Sequence, residues 1–130
     1  MATITWYAMT RGLKAQERGP IDLPAALAVI DQYFTRLRPT YDSGEAALAE
    51  TMFGFSRARN DFVEICLHTP EKISFTIELP PSPTGGLFAK LRGSFRHERI
   101  LDSRDVLKRH VTAYFTLAPE QFKAHVQADA

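Results

Sequence analysis

Apolar and polar residues alternate with a period of two in several short segments, which is the pattern of β-strands with one buried face. The clearest segments are 62–68 and 73–79, and a turn of four residues joins them. Their apolar side chains are expected to lie on one face and to build the core of the protein. Further segments with strand-like alternation are, in chain order, 3–9, 52–57 and 94–100.

Two regions instead show the 3.6-residue periodicity of amphipathic helices. The first begins after Asp22, which can cap a helix, and Pro39 is expected to end it. Its apolar stripe consists of Leu23, Leu27, Ile30, Phe34 and Leu37. Near the C-terminus, Asp102 or Ser103 can cap a second helix, and Pro119 can begin a third.

This order of elements predicts an α+β fold, because strands are grouped between helices and do not alternate strictly with them. We expect a mostly antiparallel sheet of four to five strands, with the early amphipathic helix and a C-terminal helix pair packed on it. Residues 10–21 and the Pro/Gly-rich residues 80–86 are predicted to be loops. A length of 130 residues suits a single domain over 1–130.

Composition argues against several classes of protein. Sixteen Lys and Arg against fifteen Asp and Glu leave a net charge of +1, whereas proteins that mainly bind nucleic acids or membrane surfaces carry a basic excess. No run of about 18 apolar residues is present, which argues against a membrane span. The start of the chain lacks the pattern of an export signal, and the single cysteine, Cys66, cannot form an internal disulfide. We therefore predict a cytoplasmic location.

One combination of side chains could support catalysis. Glu64, Cys66 and His68 occupy alternate positions of one predicted strand, so all three point to the same face. A thiol whose proton is taken by an imidazole, itself oriented by a carboxylate, is a nucleophile. Neighbours two apart on a strand are about 7 Å apart, however, which is too far for direct hydrogen bonds. We therefore predict no enzymatic activity and keep a small Cys/His-dependent enzyme as an alternative.

Metal and cofactor motifs are not found in the sequence. The four histidines form no HxH or HxxxH pair, and no cluster of carboxylates surrounds them at ligand spacing. The glycines form neither a GxGxxG nor a GxxxxGK[ST] phosphate-binding loop. We predict no metal and no cofactor.

Charge is distributed unevenly along the chain. Residues 42–64 contain five acidic residues and two arginines, whereas residues 90–110 contain seven basic residues and three acidic ones. Such runs ordinarily form solvated faces, and they also suit a protein that docks another protein through complementary fields. A small nucleic-acid- or ligand-binding module is a further alternative, in which Lys90, Arg92, Arg96 and Arg99 would track phosphates.

Several segments together resemble the small cytoplasmic immunity proteins of bacterial polymorphic-toxin and type VI secretion systems. The likeness covers most of the chain and concerns its general architecture. The segments are a short N-terminal strand with Trp6, FGFSR at 53–57, DFVEI at 61–65, ISF at 73–75, Val106, and YFTLAPEQF at 114–122.

This resemblance implies a function by protein–protein interaction. Immunity proteins of this kind bind a cognate toxin and block its active site, without chemistry of their own. The expected partner is then the cognate toxin. If that toxin is a basic nuclease, we expect the contact surface to be formed by acidic residues, namely Asp42, Glu45, Glu50, Asp61 and Glu64.

Overall fold

The computed structural model describes residues 3–10, 15–42, 50–69, 71–81 and 94–128. In chain order the described elements are β1 Thr5–Thr10, β2 Gln16–Pro20, α1 Leu23–Asp42, β3 Glu50–Ala58, β4 Asp61–Thr69, β5 Lys72–Leu79, β6 Phe95–Leu101, α2 Arg104–Thr116 and α3 Pro119–Ala128. The strands form one sheet in the order β2-β1-β3-β4-β5-β6, and every neighbouring pair is antiparallel. The predicted α+β class is confirmed, but the sheet has six strands where four to five were expected.

The strand that the sequence did not predict is β2, which lies within the expected loop 10–21. It is an edge strand that pairs only with β1, and four of its five residues are exposed. Its sequence therefore carries no apolar alternation, because neither of its faces is buried. The pairing shifts register at Arg18–Gly19, where Gly19 adopts a φ of 95° that suits glycine.

The limits of the helices follow largely from their capping residues. The carboxylate of Asp22 accepts a hydrogen bond from the backbone N–H of Ala25 (2.9 Å), and the hydroxyl of Ser103 accepts one from Val106 (3.2 Å). The prediction that Pro39 ends α1 is wrong, since the helix continues to Asp42. Pro39 lies in the last turn, which therefore lacks the one backbone hydrogen bond that its N–H would have donated.

The core lies between one face of the sheet and the three helices of the described residues. On β4 and β5 every second residue is buried, as the alternation predicted. Tyr33 of α1 stacks on Phe53 of β3 with ring centroids 4.2 Å apart, and Tyr114 of α2 packs edge-on against Phe122 of α3. The fully buried sheet residues are Phe53, Phe55, Val63, Ile65, Ile73, Phe75 and Ile77. This packing directs their polar neighbours to the opposite face.

Polar contacts fix the helices to one another. Lys108 of α2 forms an ion pair with Asp31 of α1 (3.1 Å), and Arg104 reaches the same carboxylate (3.4 Å). The imidazoles of His110 on α2 and His125 on α3 are joined by a hydrogen bond of 3.1 Å between Nδ1 and Nε2. The helical layer is therefore held together on one side of the sheet.

Candidate functional site

The second face of the sheet has no helix of the described residues packed on it. We call it the open face and define it by three rows of residues that neighbour one another across the strands. The apolar row is Met9, Met52, Cys66, Ser74 and Ile100. The acidic row is Glu17, Tyr7, Gly54, Glu64, Thr76 and Glu98. The mixed row is Thr5, Ser56, Phe62, Glu78 and Arg96.

The apolar row gives the open face a hydrophobic strip that crosses five strands. Met9 pairs with Met52, and Met52 pairs with Cys66. At the end of the row, Ile100 is 59% exposed, which is unusual for a side chain of its size. Methionine side chains adapt their shape to a partner surface. The strip is therefore suited to contact with another macromolecule.

Tyr7 and Gly54 form a close contact at the centre of the acidic row. The ring of Tyr7 lies over Gly54, and its hydroxyl donates a hydrogen bond to Oε1 of Glu64 (3.0 Å). A Cβ atom at position 54 would overlap with Cζ and Oη of Tyr7 and would lie 2.7 Å from the carbonyl oxygen of Val63. Glycine is thus required here for the ring to cross the strand.

Burial is the main reason why the pKa of Tyr7 lies well above its usual value near 10. The negative charge of Glu64 and the hydrogen bond to it act in the same direction. The phenol therefore stays protonated at neutral pH and remains a donor. This contact fixes one oxygen of the Glu64 carboxylate.

A groove of about 390 Å³ lies on the open face over β2, β1, β3 and β4. Its lining includes Glu17, Tyr7, Met9, Phe62, Glu64 and Arg59. Glu17 and Glu64 stand on strands on either side of Tyr7, and Arg59 comes from the turn between β3 and β4. Within the described part of the chain, no ion pair joins Arg59 to either glutamate. The groove is therefore an aromatic and apolar depression flanked by two carboxylates.

Asp61, one of the predicted contact residues, is instead part of the interior. Its side chain forms an ion pair with Nε of Arg57 (3.1 Å to Oδ2), and its Oδ1 accepts hydrogen bonds from Nε of Arg57 (3.2 Å) and from the hydroxyl of Tyr114 (2.8 Å). The residue is only 6% exposed, and the Arg57 guanidinium lies 4.3 Å from the centre of the Tyr114 ring. Asp61 thus serves the fold and offers almost no surface to a partner.

The other four predicted contact residues have different positions. Glu64 lies on the open face, in the acidic row. Asp42 ends α1 and Glu50 begins β3, but the side chains of both are outside the described part of the structure. Glu45 lies outside the described residues altogether. The structure therefore places only Glu64 of the five on the candidate surface.

Glu64, Cys66 and His68 share the open face, as the period of two predicted, but their hydrogen bonds lead elsewhere. Glu64 bonds to Tyr7, and Nε2 of His68 bonds to the hydroxyl of Ser74 (2.8 Å). Cys66 is half-buried in the apolar row. The carboxylate–imidazole contact that the catalytic alternative needs is not formed in this arrangement.

The basic residues proposed to track phosphates do not form one row. Arg96 lies on the open face in an ion pair with Glu78 (3.3 Å), whereas Arg99 lies on the covered face and donates to the carbonyl oxygen of Val126 (3.3 Å). Lys90 and Arg92 lie outside the described residues. The two described arginines therefore cannot contact one strand of phosphates together.

Sequence reasoning did not identify the groove. Tyr7 and Glu17 lie in β1 and β2, and their approach to Glu64 depends on β1 pairing with β3. One local signal was present, because Gly54 interrupts an aromatic strand, and a glycine inside a strand often marks the close approach of another group.

The described residues contain no group of three or more His, Cys, Asp or Glu side chains arranged to hold a metal ion. Over the same residues, none of the helices combines the length and the hydropathy needed to cross a bilayer.

When the chain was compared with known proteins, no protein-family model, no curated protein and no solved structure matched it.

Proposed function

We propose that this protein is an immunity protein that binds a cognate bacterial toxin through the open face and neutralises it by occluding the toxin's active site. The observation that carries the proposal is the apolar row lying directly beside the acidic row on a sheet face that no described helix covers. The assignment to immunity proteins, as distinct from other binding proteins, rests on the sequence resemblance.

The composition of the open face resembles that of a protein–protein interface. Such interfaces have an apolar centre and a polar rim. Met9, Met52 and the exposed Ile100 supply apolar area. Hydroxyl and carboxylate side chains of the acidic and mixed rows lie along one side of it. A partner surface could therefore bury hydrocarbon while its polar groups find hydrogen-bonding partners.

The charge of the open face favours a basic partner. It carries Glu17, Glu64, Glu78 and Glu98, and Arg96 is already paired with Glu78. The acidic excess would attract a cationic surface, such as the cleft in which a nuclease binds phosphates. Complementary fields raise the rate of encounter and orient the two proteins.

The hydrogen-bonded sheet also supports an inhibitory role without chemistry. Side chains on six paired strands are held in fixed register, and Tyr7 is locked over Gly54. A preorganised surface loses little conformational entropy on binding, which favours affinity.

Co-expression with the toxin encoded beside this gene tests the proposal. The wild-type chain should restore growth and co-purify with the toxin. Ile100→Arg places a positive charge at an exposed position of the open face and should weaken both effects. Gln127→Arg is the matched control, because it places the same charge at an exposed position of α3, and it should weaken neither. Failure of the wild-type chain both to restore growth and to form a complex would overturn the proposal.

A further inference from the structure

We infer that the groove between Glu17 and Glu64 is a socket for an arginine side chain of the partner protein. The inference rests on the proposed function for the identity of the partner, and it specifies which chemical group enters the open face and where.

The two carboxylates supply the charge that such an occupant needs. The hydroxyl of Tyr7 donates a hydrogen bond to Oε1 of Glu64. Within the described residues Glu64 accepts no other side-chain hydrogen bond, so its Oε2 can accept one from a guanidinium. Glu17 is exposed on the edge strand β2 and forms no ion pair with any residue that the structure describes. A guanidinium in the groove would gain a charge-assisted contact with Glu64 and the longer-range attraction of Glu17.

The walls of the groove match the rest of an arginine side chain. Tyr7 and Phe62 present aromatic rings, on which a planar guanidinium can stack. Met9 and Ala15 add apolar surface for the methylene stem. The volume of about 390 Å³ leaves room for one arginine side chain.

Arginine is favoured over lysine for two reasons. A guanidinium donates in several directions from one plane, so it can bond to the Glu64 carboxylate while it stacks on a ring. It is also less strongly hydrated than an ammonium and therefore loses less on entering a partly apolar groove. Arg59 adds one positive charge to the lining, which opposes the entry of a second cation.

The hydrogen bond from Tyr7 supports the same picture. The phenol donates to Oε1 of Glu64 and so holds that carboxylate in place. The socket is thus organised before the partner arrives.

Titration of the full chain with N-acetyl-arginine amide, followed by the amide NMR shifts, tests the socket without any toxin. We expect saturable shifts at groove-lining residues with a Kd of about millimolar order, weaker binding of the blocked lysine, and none of the blocked norleucine. Glu17→Gln and Glu64→Gln should each weaken binding about fivefold through loss of one charge contact. Glu98→Gln lies in the same row outside the groove and should have no effect.

The outcomes separate the socket from the proposed function. No saturable shifts, equal binding of norleucine, or binding that both glutamine substitutions leave unchanged would overturn the socket. If the chain binds arginine in this way but fails to protect against the toxin, the socket stands and the proposed toxin partner is wrong. If the chain protects but shows no arginine binding, only the socket is wrong.

Discussion

Tyr114 donates a hydrogen bond to Asp61 across 53 positions of the chain, with its hydroxyl oxygen 2.8 Å from Oδ1. Asp61 begins β4, and Tyr114 lies in α2, so the bond joins the sheet to the helical layer. Arg57 completes the cluster through its ion pair with Asp61 and its stacking on the Tyr114 ring. A residue that was expected on the contact surface is thereby made part of the interior.

Removal of the Asp61 carboxylate should destabilise the protein strongly. Asp61→Ala leaves the Arg57 charge without its carboxylate in a mostly buried site, so we expect a loss of about 3 kcal/mol in the free energy of unfolding, although the Tyr114 hydroxyl keeps the backbone carbonyl oxygen of residue 61 as an acceptor. Urea unfolding followed by circular dichroism measures it. Tyr114→Phe removes the hydroxyl that donates to Oδ1 and to the carbonyl oxygen of Asp61 but keeps the ion pair, and it should cost only about 1 kcal/mol. Equal losses in the two variants would contradict this account.

Alkaline pH should destabilise the protein through its buried tyrosines. Burial raises the pKa of both Tyr7 and Tyr114 above the usual value near 10, and the neighbouring carboxylates Glu64 and Asp61 add to the effect. Above about pH 10 the unfolded chain loses these protons while the folded chain keeps them, so stability falls as pH rises.

Urea unfolding at a series of pH values from 9 to 11 measures this effect. Each tyrosine should contribute a slope of up to about 1.4 kcal/mol per pH unit. Tyr7→Phe and Tyr114→Phe should each make the decline less steep. The explanation is wrong if all tyrosines of the folded protein ionise near pH 10, as measured by the phenolate absorbance.

Gly54→Ala should disturb the centre of the open face. The added methyl group would overlap with the Tyr7 ring and press on the Val63 carbonyl oxygen, which should cost about 2 kcal/mol. Gly19→Ala is a useful comparison: no atom lies within 4 Å of its added Cβ, so only the positive φ opposes it, at a cost of about 1 kcal/mol.

Combination with Tyr7→Ala reveals the origin of the Gly54→Ala effect. Removal of the ring takes away part of the overlap, so the two substitutions together should cost less than the sum of their separate effects. Thermal unfolding of the four proteins in the cycle gives this coupling. Additive losses would place the strain at Val63 alone.

Cys66 should react with iodoacetamide no faster than glutathione does at the same pH. The residue is half-buried, and His68 on the same strand is bonded to Ser74. A thiol that is activated for catalysis is alkylated rapidly at neutral pH because it is held as a thiolate. Mass spectrometry of the modified chain gives the rate. A rate tenfold above that of glutathione would support the enzyme alternative.

Salt should slow the association of this protein with the proposed toxin. At 0.1 M ionic strength the attraction of the acidic open face reaches about 10 Å into solution, and this distance becomes shorter as salt is added. Stopped-flow measurements from 0.05 to 0.5 M NaCl should show an association rate that falls about tenfold, with a smaller change in the dissociation rate. Glu98→Gln should reduce the dependence on salt, and an association rate independent of salt would exclude electrostatic steering.

The sequence predicted those parts of the fold that one buried face determines. Val63, Ile65 and Leu67 alternate because they enter the core, and Ser103 and Pro119 mark helix starts through local hydrogen bonding and geometry. β2 was missed because an exposed edge strand is held by backbone pairing, which leaves no mark on its side chains.

The candidate site was harder to predict because it depends on strand order. Glu17 and Glu64 are far apart in the chain, and they flank one groove only because β1 lies between β2 and β3. Arg96 and Arg99 were grouped as phosphate contacts, although residues three positions apart on a strand lie on opposite faces. The alternation of strand side chains was enough to separate them. The immunity function and its toxin partner remain predictions from the resemblance.

The position of β1 has a consequence for how the chain is made. This strand is synthesised before the other strands of the described sheet, yet the strand to which it must be added, β3, follows some forty residues later. The hairpin of β1 and β2 is only marginally stable by itself and has to wait for that edge. Loss of the first twenty residues would uncover β3, whose bare backbone could then recruit strands from other chains and lead to aggregation.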